Sequence, residues 1–397
     1  DAVTGAVLRD LTVKVVASGP RIEVQQLAAK GTGFCTFSLR FEDAEYDETK
    51  YQRLMAERLG SDHREVLVSR ADIARVFPDV IAHTERPVLR TAPAPLYLLS
   101  KLVHDAGIKV VLTGEGADEV FAGYDLFKEA KVRRFMARAP QSRWRGRILE
   151  RLYPYLQHSP AAGRAFTQRF FSEGLDEIAQ PWFAHVPRMT TARRALQFLR
   201  PEWHDKAMAW DARAALRATL PESIARWPAL GRDQYVEAHT LMSGYLLSSQ
   251  GDRMAMAASI EARFPFLDHR VIEFANRLPP QYKLRGLAEK HILKKSMAAE
   301  LPPAITRRSK QPYRAPDSAS FFVDGKPLDY VAELLSPKAI DDAGVFDAAS
   351  VGRLMEKCRS GRAVGFGDNI AFVGVLSTML LHRQFIAPAG GPCAIGP

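Results

Sequence analysis

Residues Ile108 to Tyr124 read IKVVLTGEGADEVFAGY, and the stretch changes character at its first glycine. Ile108 to Leu112 is short, apolar and rich in β-branched residues, bounded by Gly107 and Gly114, which predicts a buried parallel strand. Beyond it, Gly114, Gly116 and Ala117 allow close approach of backbone to a ligand. Asp118 and Glu119 open a helical segment whose free N–H groups face the strand end. Such a turn suits phosphate. Two carboxylates in it disfavour a bare anion, so Glu115 and Asp118 predict either a metal-bridged phosphate or a base beside one. The plainer alternative is a tight strand-to-helix turn whose acids complement the helix dipole.

Outward from this stretch the chain alternates. Thr12 to Ala17 reads as a strand stopped by Ser18-Gly19-Pro20, and Ile22 to Lys30 as a short helix closed by Gly31. Thr36 to Phe41 predicts a second strand, Asp47 an N-cap for a helix through Leu59, and Glu65 to Val68 a third strand. A helix from Asp72, a turn at Pro93 and Pro95, and a helix carrying Leu96, Leu99 and Val103 lead back to Gly107. Strands alternating with helices, with a ligand motif at a strand's carboxyl end, predict an α/β fold with a doubly wound parallel sheet. After Tyr124 no further strand is expected. The predicted organisation is an α/β core over about 1–127, an irregular helical cover over about 128–232, a helical C-terminal part over about 233–385 and a disordered tail over 386–397.

The chain has 397 residues, 47% of them hydrophobic and 25% charged, enough for a substantial core. A formal charge of +10 favours an anionic partner. The most basic stretch, Lys128 to Arg151, reads as a solvated helical face, because no nucleic-acid motif accompanies it. Cys35, Cys358 and Cys393 are too few and too far apart for a disulfide framework or a zinc site, which suggests a reducing, cytoplasmic setting. The longest apolar run, Ile370 to Leu381, falls short of the ~20 residues a membrane helix needs and predicts a buried helix.

Thr113-Gly-Glu-Gly-Ala-Asp-Glu119, followed by Phe121, Gly123 and Tyr124, closely resembles the second nucleotide-site motif of asparagine synthetases, with Ala122 where that family often has glycine. Three later clusters match the same family in order: YLLSSQGDRMAMAASIEARFPFLD from Tyr245 to Asp268, Glu289-Lys290-His291-Ile292-Leu293, and Arg308 to Arg314. With FEDAEYDETKY from Phe41 to Tyr51, the resemblance runs from about Thr36 to Phe385. Each cluster also has a plainer reading. Met254 and Met256 suit core packing, Arg253, Glu261, Arg263 and Asp268 a buried ion network that fixes helix packing, and Lys290, Arg308, Lys310 and Arg314 a solvated charged surface.

The resemblance implies an adenine nucleotide alpha hydrolase-like fold of the pyrophosphatase-loop type. It also implies ATP- and Mg²⁺-dependent conversion of aspartate to asparagine through an aspartyl adenylate, releasing AMP and pyrophosphate. Carried over by position, Glu115 is the acid/base carboxylate and Lys290 the phosphate clamp, both catalytic. Ser18, Gly19, Leu39, Thr113 and Gly114 form the ATP site, Arg263, Asp268, Arg308 and Lys310 contact substrate, and Asp118 is a magnesium ligand. The implied partners are aspartate and ammonia, with no nucleic acid and no membrane, and with oligomer formation left open.

Two departures accompany the match. The family's glutaminase domain, which begins with a catalytic cysteine, has no counterpart here, so ammonia is expected to come free or from a separate amidotransferase. The family's pyrophosphate loop is replaced after Ser18-Gly19 by Pro20, Arg21, Ile22 and Glu23, which puts Ile22 at its magnesium-binding aspartate and removes a backbone N–H at Pro20. Losing such charge stabilisation is expected to impair ATP cleavage. The alternatives are an impaired pseudoenzyme serving as a partner-binding subunit, and a related adenylating amidoligase acting on another carboxylate.

Overall fold

Apolar residues at alternate positions make Cys35–Phe41 a strand whose Phe37, Leu39 and Phe41 enter the core, while Thr36 and Ser38 both bond the ring of His63. The computed structural model describes residues 5–7, 11–18, 21–29, 34–142, 144–152, 169–308, 310, 313–362 and 365–387, and of residues 5–29 the backbone only. The strands that bear on the site are β1 (Gly5–Val7), β2 (Leu11–Ser18), β3 (Arg21–Ala29), β4 (Cys35–Phe41), β5 (Asp62–Val68), β6 (Val110–Leu112) and β7 (Glu261–Arg263). Helices α1 (Thr49–Leu59), α2 (Arg70–Thr84), α3 (Pro93–Asp105), α4 (Ala117–Phe121) and α5 (Asp125–Ala137) alternate with them.

Five strands form one sheet in the order β5-β4-β1-β6-β7. Parallel pairing holds between β4 and β5 and between β6 and β7, as the alternation predicts. The central strand does not follow: β1 runs antiparallel to both neighbours, so the sheet is mixed rather than all parallel. Strands do not cease after Tyr124 either, because Glu261–Arg263 returns as an edge strand on β6. Three residues are too few to announce a strand by alternation.

The helix expected over Ile22 to Lys30 is a strand. Arg21–Ala29 pairs antiparallel with Leu11–Ser18 from a tight Ser18↔Arg21 start, and this two-stranded sheet stands apart from the five-stranded one. Gln25 to Ala29 lean toward helix, but Ile22 and Val24 find partners across the hairpin, and pairing overrides propensity. Gly19 and Pro20 lie outside the described residues, as do Cys393 and most of the expected disordered tail. The chain remains helical through Ile386.

Helix α2 joins two cores. Its Ser69 N-cap forms a capping box with Asp72. One face puts Ile73, Val76 and Val80 with Phe37 and Leu39 of the sheet, and the other puts Ala74, Phe77 and Ile81 with Phe321, Phe372 and Leu376. Phe372 and Leu376 belong to the helix Phe366–Leu381, the buried apolar helix the sequence predicts. Among the described residues no helix is long and apolar enough to cross a membrane.

The described residues between α5 and Arg232 form short helices and 3₁₀ turns. The basic stretch is a solvated face only in part: Lys131, Arg138, Arg147 and Arg151 are exposed, while others turn inward. Arg133 is fully buried and donates to the carbonyls of Phe171, Glu173 and Phe183, and burial lowers its pKa to about 10. Arg134 grips the buried Asp233 through both terminal nitrogens. A guanidinium carries five donors and can enter a core where carbonyls and carboxylates meet them, which spacing along the chain does not reveal.

Candidate active site

Strand β6 ends at Leu112, and the Thr113 N–H donates to the Arg263 carbonyl at 3.0 Å, extending the β6·β7 ladder by one bond. The chain then turns. Gly116 has φ 88° and lies against Leu267, whose Cδ2 would stand 2.2 Å from any Cβ placed there, so a side chain would strain the backbone and push Leu267 aside. The five-residue α4 follows, and Asp118 in its first turn is only 9% exposed.

Two lysines converge on that carboxylate. Lys290 Nζ lies 3.0 Å from Asp118 Oδ1, and Lys310 Nζ lies 3.0 Å from Oδ2. Both lysines are 7% exposed. Lys290 takes a left-handed backbone, φ 49°, just before the helix His291–Ser296. A non-glycine residue held there costs about 1–3 kcal/mol, which the surrounding contacts offset. Burial alone raises a carboxyl pKa, but Lys310 and Lys290 outweigh it and hold Asp118 well below the usual carboxylate range. Lys310 stays above its ordinary value despite burial, because Asp118 favours its charge. Burial lowers Lys290, with Asp118 opposing the shift.

Gly123 makes room for this arrangement: a Cβ there would lie 1.8 Å from Asp118 Oδ1. Gly123→Ala is therefore expected to displace the carboxylate from its lysines and cost about 1–3 kcal/mol, read as a lowered urea midpoint. An unchanged midpoint would mean the turn yields freely.

Glu115 is half-buried on the turn between Gly114 and Gly116. Burial raises its pKa, Lys310 opposes and Asp118 adds to the rise. A carboxylate moved toward neutrality is a better proton carrier. Glu119, 3% exposed, is raised to about 7, chiefly by burial, although the Tyr124 hydroxyl donates to its Oε1 at 2.9 Å. The side-chain amide of Gln234 donates to the carbonyls of Glu119 and Val120, closing the C-terminal end of α4.

A raised carboxyl pKa means that the folded state binds the proton more tightly. The stability it contributes is complete below the unfolded value near 4.5 and is lost as pH rises to about 7. The full effect is on the order of 3 kcal/mol. Glu119→Gln is expected to flatten thermal stability across that window and to raise the melting temperature at pH 8. A melting profile as steep as that of the unmutated protein would place the titration elsewhere.

Other residues singled out from the sequence fall in different places. Arg308 pairs with Glu48 and stacks over the Tyr51 ring at 4.5 Å. The Leu39 carbonyl accepts the Gln52 amide at 2.9 Å, and the buried Thr113 hydroxyl has no protein partner among the described residues. Gly114 is exposed on the turn. Arg263 and Asp268 are not brought into the cluster: Arg263 pairs with Glu261 at 2.6 Å on the surface, and Asp268 caps the helix His269–Arg277 and pairs with Arg270. Neither joins a buried ion network, because their pairs are separate and largely exposed. Ser18 sits in the β2·β3 hairpin, apart from the sheet that carries Glu115. Of the two methionines, Met254 is buried and Met256 is 69% exposed.

Among the described residues no group of three or more His, Cys, Asp or Glu gathers as for a resident metal. Asp118, with Glu115 beside it on the turn, offers a carboxylate here, and both Asp118 oxygens face lysines. That donor set fits Mg²⁺ carried mainly by phosphate and water with one protein carboxylate.

The profile of the family described as asparagine synthase matches residues 24–383. Curated relatives include a protein named amidase chyE from Penicillium rubens, 28% identical over 89% of this chain and 54% of its own length. Another is a putative glutamine-hydrolysing asparagine synthetase of Mycobacterium tuberculosis, 26% identical over 97% of this chain and 56% of its own. A glutamine-hydrolysing asparagine synthetase of Bacillus subtilis is 26% identical over 71% of this chain and 42% of its own. The chain thus spans about half the length of the relatives it matches.

Proposed function

The chain belongs to the asparagine synthase family, and from that premise we propose that it is an ATP-dependent amide-forming ligase that activates a carboxylate as its adenylate. Ammonia then replaces AMP to give the amide. The observation that carries this reading is the buried Asp118 clasped by Lys290 and Lys310 beside Glu115, at the carboxyl end of β6.

A carboxylate attacking a triphosphate brings two anions together, so cations must gather where charge develops. Lys290 and Lys310 supply them, and Asp118 holds both ammonium groups pointed at one place until Mg·ATP arrives. Magnesium, carried by the nucleotide and reaching Asp118, would neutralise phosphate charge. Glu115 is the proposed base that takes a proton from attacking ammonia, and its raised pKa suits that exchange. Thr113 and Gly114 at the turn, and the Leu39 backbone on β4, are the proposed nucleotide contacts. Arg308, held against Glu48, is a proposed substrate contact.

Aspartate is the proposed acceptor, supported by the relatives named as asparagine synthetases. A relative named as an amidase makes another carboxylate the rival acceptor. A second reading, a catalytically impaired scaffold, is favoured by one observation: the segment matching the pyrophosphate loop starts in the separate β2·β3 hairpin, and antiparallel β1 fills the centre of the sheet.

ATP–pyrophosphate exchange by the purified chain with Mg²⁺ and aspartate, followed by mass detection of AMP and amide after adding ammonia, separates these readings. Exchange with asparagine formed supports the ligase and its substrate. Exchange with other carboxylates alone moves the acceptor. No exchange with any carboxylate in folded protein supports the scaffold.

A further inference from the structure

We propose that Glu289 is the positioning residue that sets Lys290 and Lys310 against Asp118. The inference rests on the ligase reading above for its catalytic consequence, but its geometric content stands separately. Glu289 is 4% exposed, and its carboxylate does not itself clasp Asp118. Its Oε1 accepts the backbone N–H of Lys310 at 3.0 Å and lies 2.8 Å from Lys294 Nζ. Its Oε2 faces Lys128 Nζ at 3.4 Å, and Lys128 is anchored in turn by Asp125 at 2.6 Å.

The consequence is geometric. Lys290 and Lys310 are twenty residues apart in the chain and reach one carboxylate from two segments, so something must fix those segments to each other. Glu289 does so at the shortest leverage available. It is covalently next to Lys290 and hydrogen-bonded to the backbone of Lys310 itself, not to a distant part of the loop. Lys294 reinforces the link, donating both to Glu289 and to the Arg308 carbonyl at 2.9 Å. The tie through Lys128 fastens the pair to α5, the helix that follows the Asp118 turn. A buried carboxylate meeting two ammonium groups and one N–H is held from three sides, so the link is rigid where an exposed pair would be loose.

A carboxylate that only stabilised the fold would lower the melting temperature without selecting these two lysines. The test therefore compares Glu289→Ala and the isosteric Glu289→Gln with Asp125→Asn, which weakens the Lys128 anchor without touching the Lys310 N–H. The first readout is site-resolved labelling of lysines by an amine-reactive ester, which needs no turnover. In Glu289→Ala, Lys290 and Lys310 should label about 10-fold faster or more, with Glu289→Gln between and Asp125→Asn near the unmutated protein. Should the alanine variant fail to fold, the glutamine variant carries the comparison. Lys290 and Lys310 as protected in a folded Glu289 variant as in the unmutated chain would overturn the proposal.

The second readout is pyrophosphate exchange. Glu289→Ala should lower kcat about 10–100-fold with the KM for ATP changed less than about 3-fold, and glutamine, whose oxygen can still accept the Lys310 N–H, should recover part of it. A wholly unchanged kcat would overturn the positioning role. If the unmutated chain shows no exchange at all, the ligase reading fails, and labelling alone decides whether Glu289 sets the lysines.

Discussion

Glu115→Gln is expected to leave ATP binding intact and to suppress amide formation by about 10²–10⁴-fold, the range a positioned acid–base group supplies. Glutamine keeps the size and the hydrogen-bonding oxygen of the side chain but cannot take a proton. The half-buried Glu115 is suited to proton transfer because burial and the neighbouring Asp118 charge raise its pKa, with Lys310 restraining the rise. The loss should appear in the ammonia-dependent step: AMP release with ammonia falls while pyrophosphate exchange persists. Equal turnover by both proteins would remove Glu115 from the chemistry, and a parallel loss of exchange would move its role to adenylation.

Lys290→Ala is expected to act on the other half of the reaction, lowering exchange by about 10²–10³-fold, as removal of one preorganised charge-stabilising group does. The variant has a second consequence. Asp118 keeps Lys310 but loses the other of its two ammonium partners while remaining buried, and a lost bond to a charged group costs about 1.5–3 kcal/mol. A double-mutant cycle with Asp118→Asn separates the effects. The stability cost of Lys290→Ala should shrink or reverse in the Asp118→Asn background, where the two buried ammonium groups no longer have the Asp118 carboxylate between them, whereas exchange should not return. Normal exchange by Lys290→Ala would return that lysine to a structural role.

The two lysines show where reading along the chain stops. Lys290 beside Leu287 and Ile292 has the pattern of a surface residue, and nothing in the spacing of Lys310 tells it apart from Arg308 or Arg314. In the fold Lys310 and Lys290 turn inward to Asp118, Arg308 goes to Glu48, and Arg314 to Glu45. Only the family resemblance had placed Lys290 in the site. Glu289 was visible beside it without a role, because its partners lie on α5 and on the segment reaching Lys310. Gly123 was likewise legible as a glycine of the motif, but its reason, the carboxylate oxygen 1.8 Å from where a Cβ would be, is a packing fact.

Local chemistry sets what the linear chain makes plain: the β-branched run before Gly114, the turn at Gly116, the opening of α4 at Asp118, the strand at Cys35–Phe41 and the buried helix Phe366–Leu381. Each depends on residues within one or two turns of one another, so composition and spacing suffice. The direction of β1, the β2·β3 hairpin in place of a helix, the burial of Arg133 and the meeting of Lys290 with Lys310 required the folded chain. In the hairpin the partner lies across a tight turn, and in the others it is remote in sequence. Pairing, desolvation and charge compensation are properties of that encounter, and neither partner carries them alone.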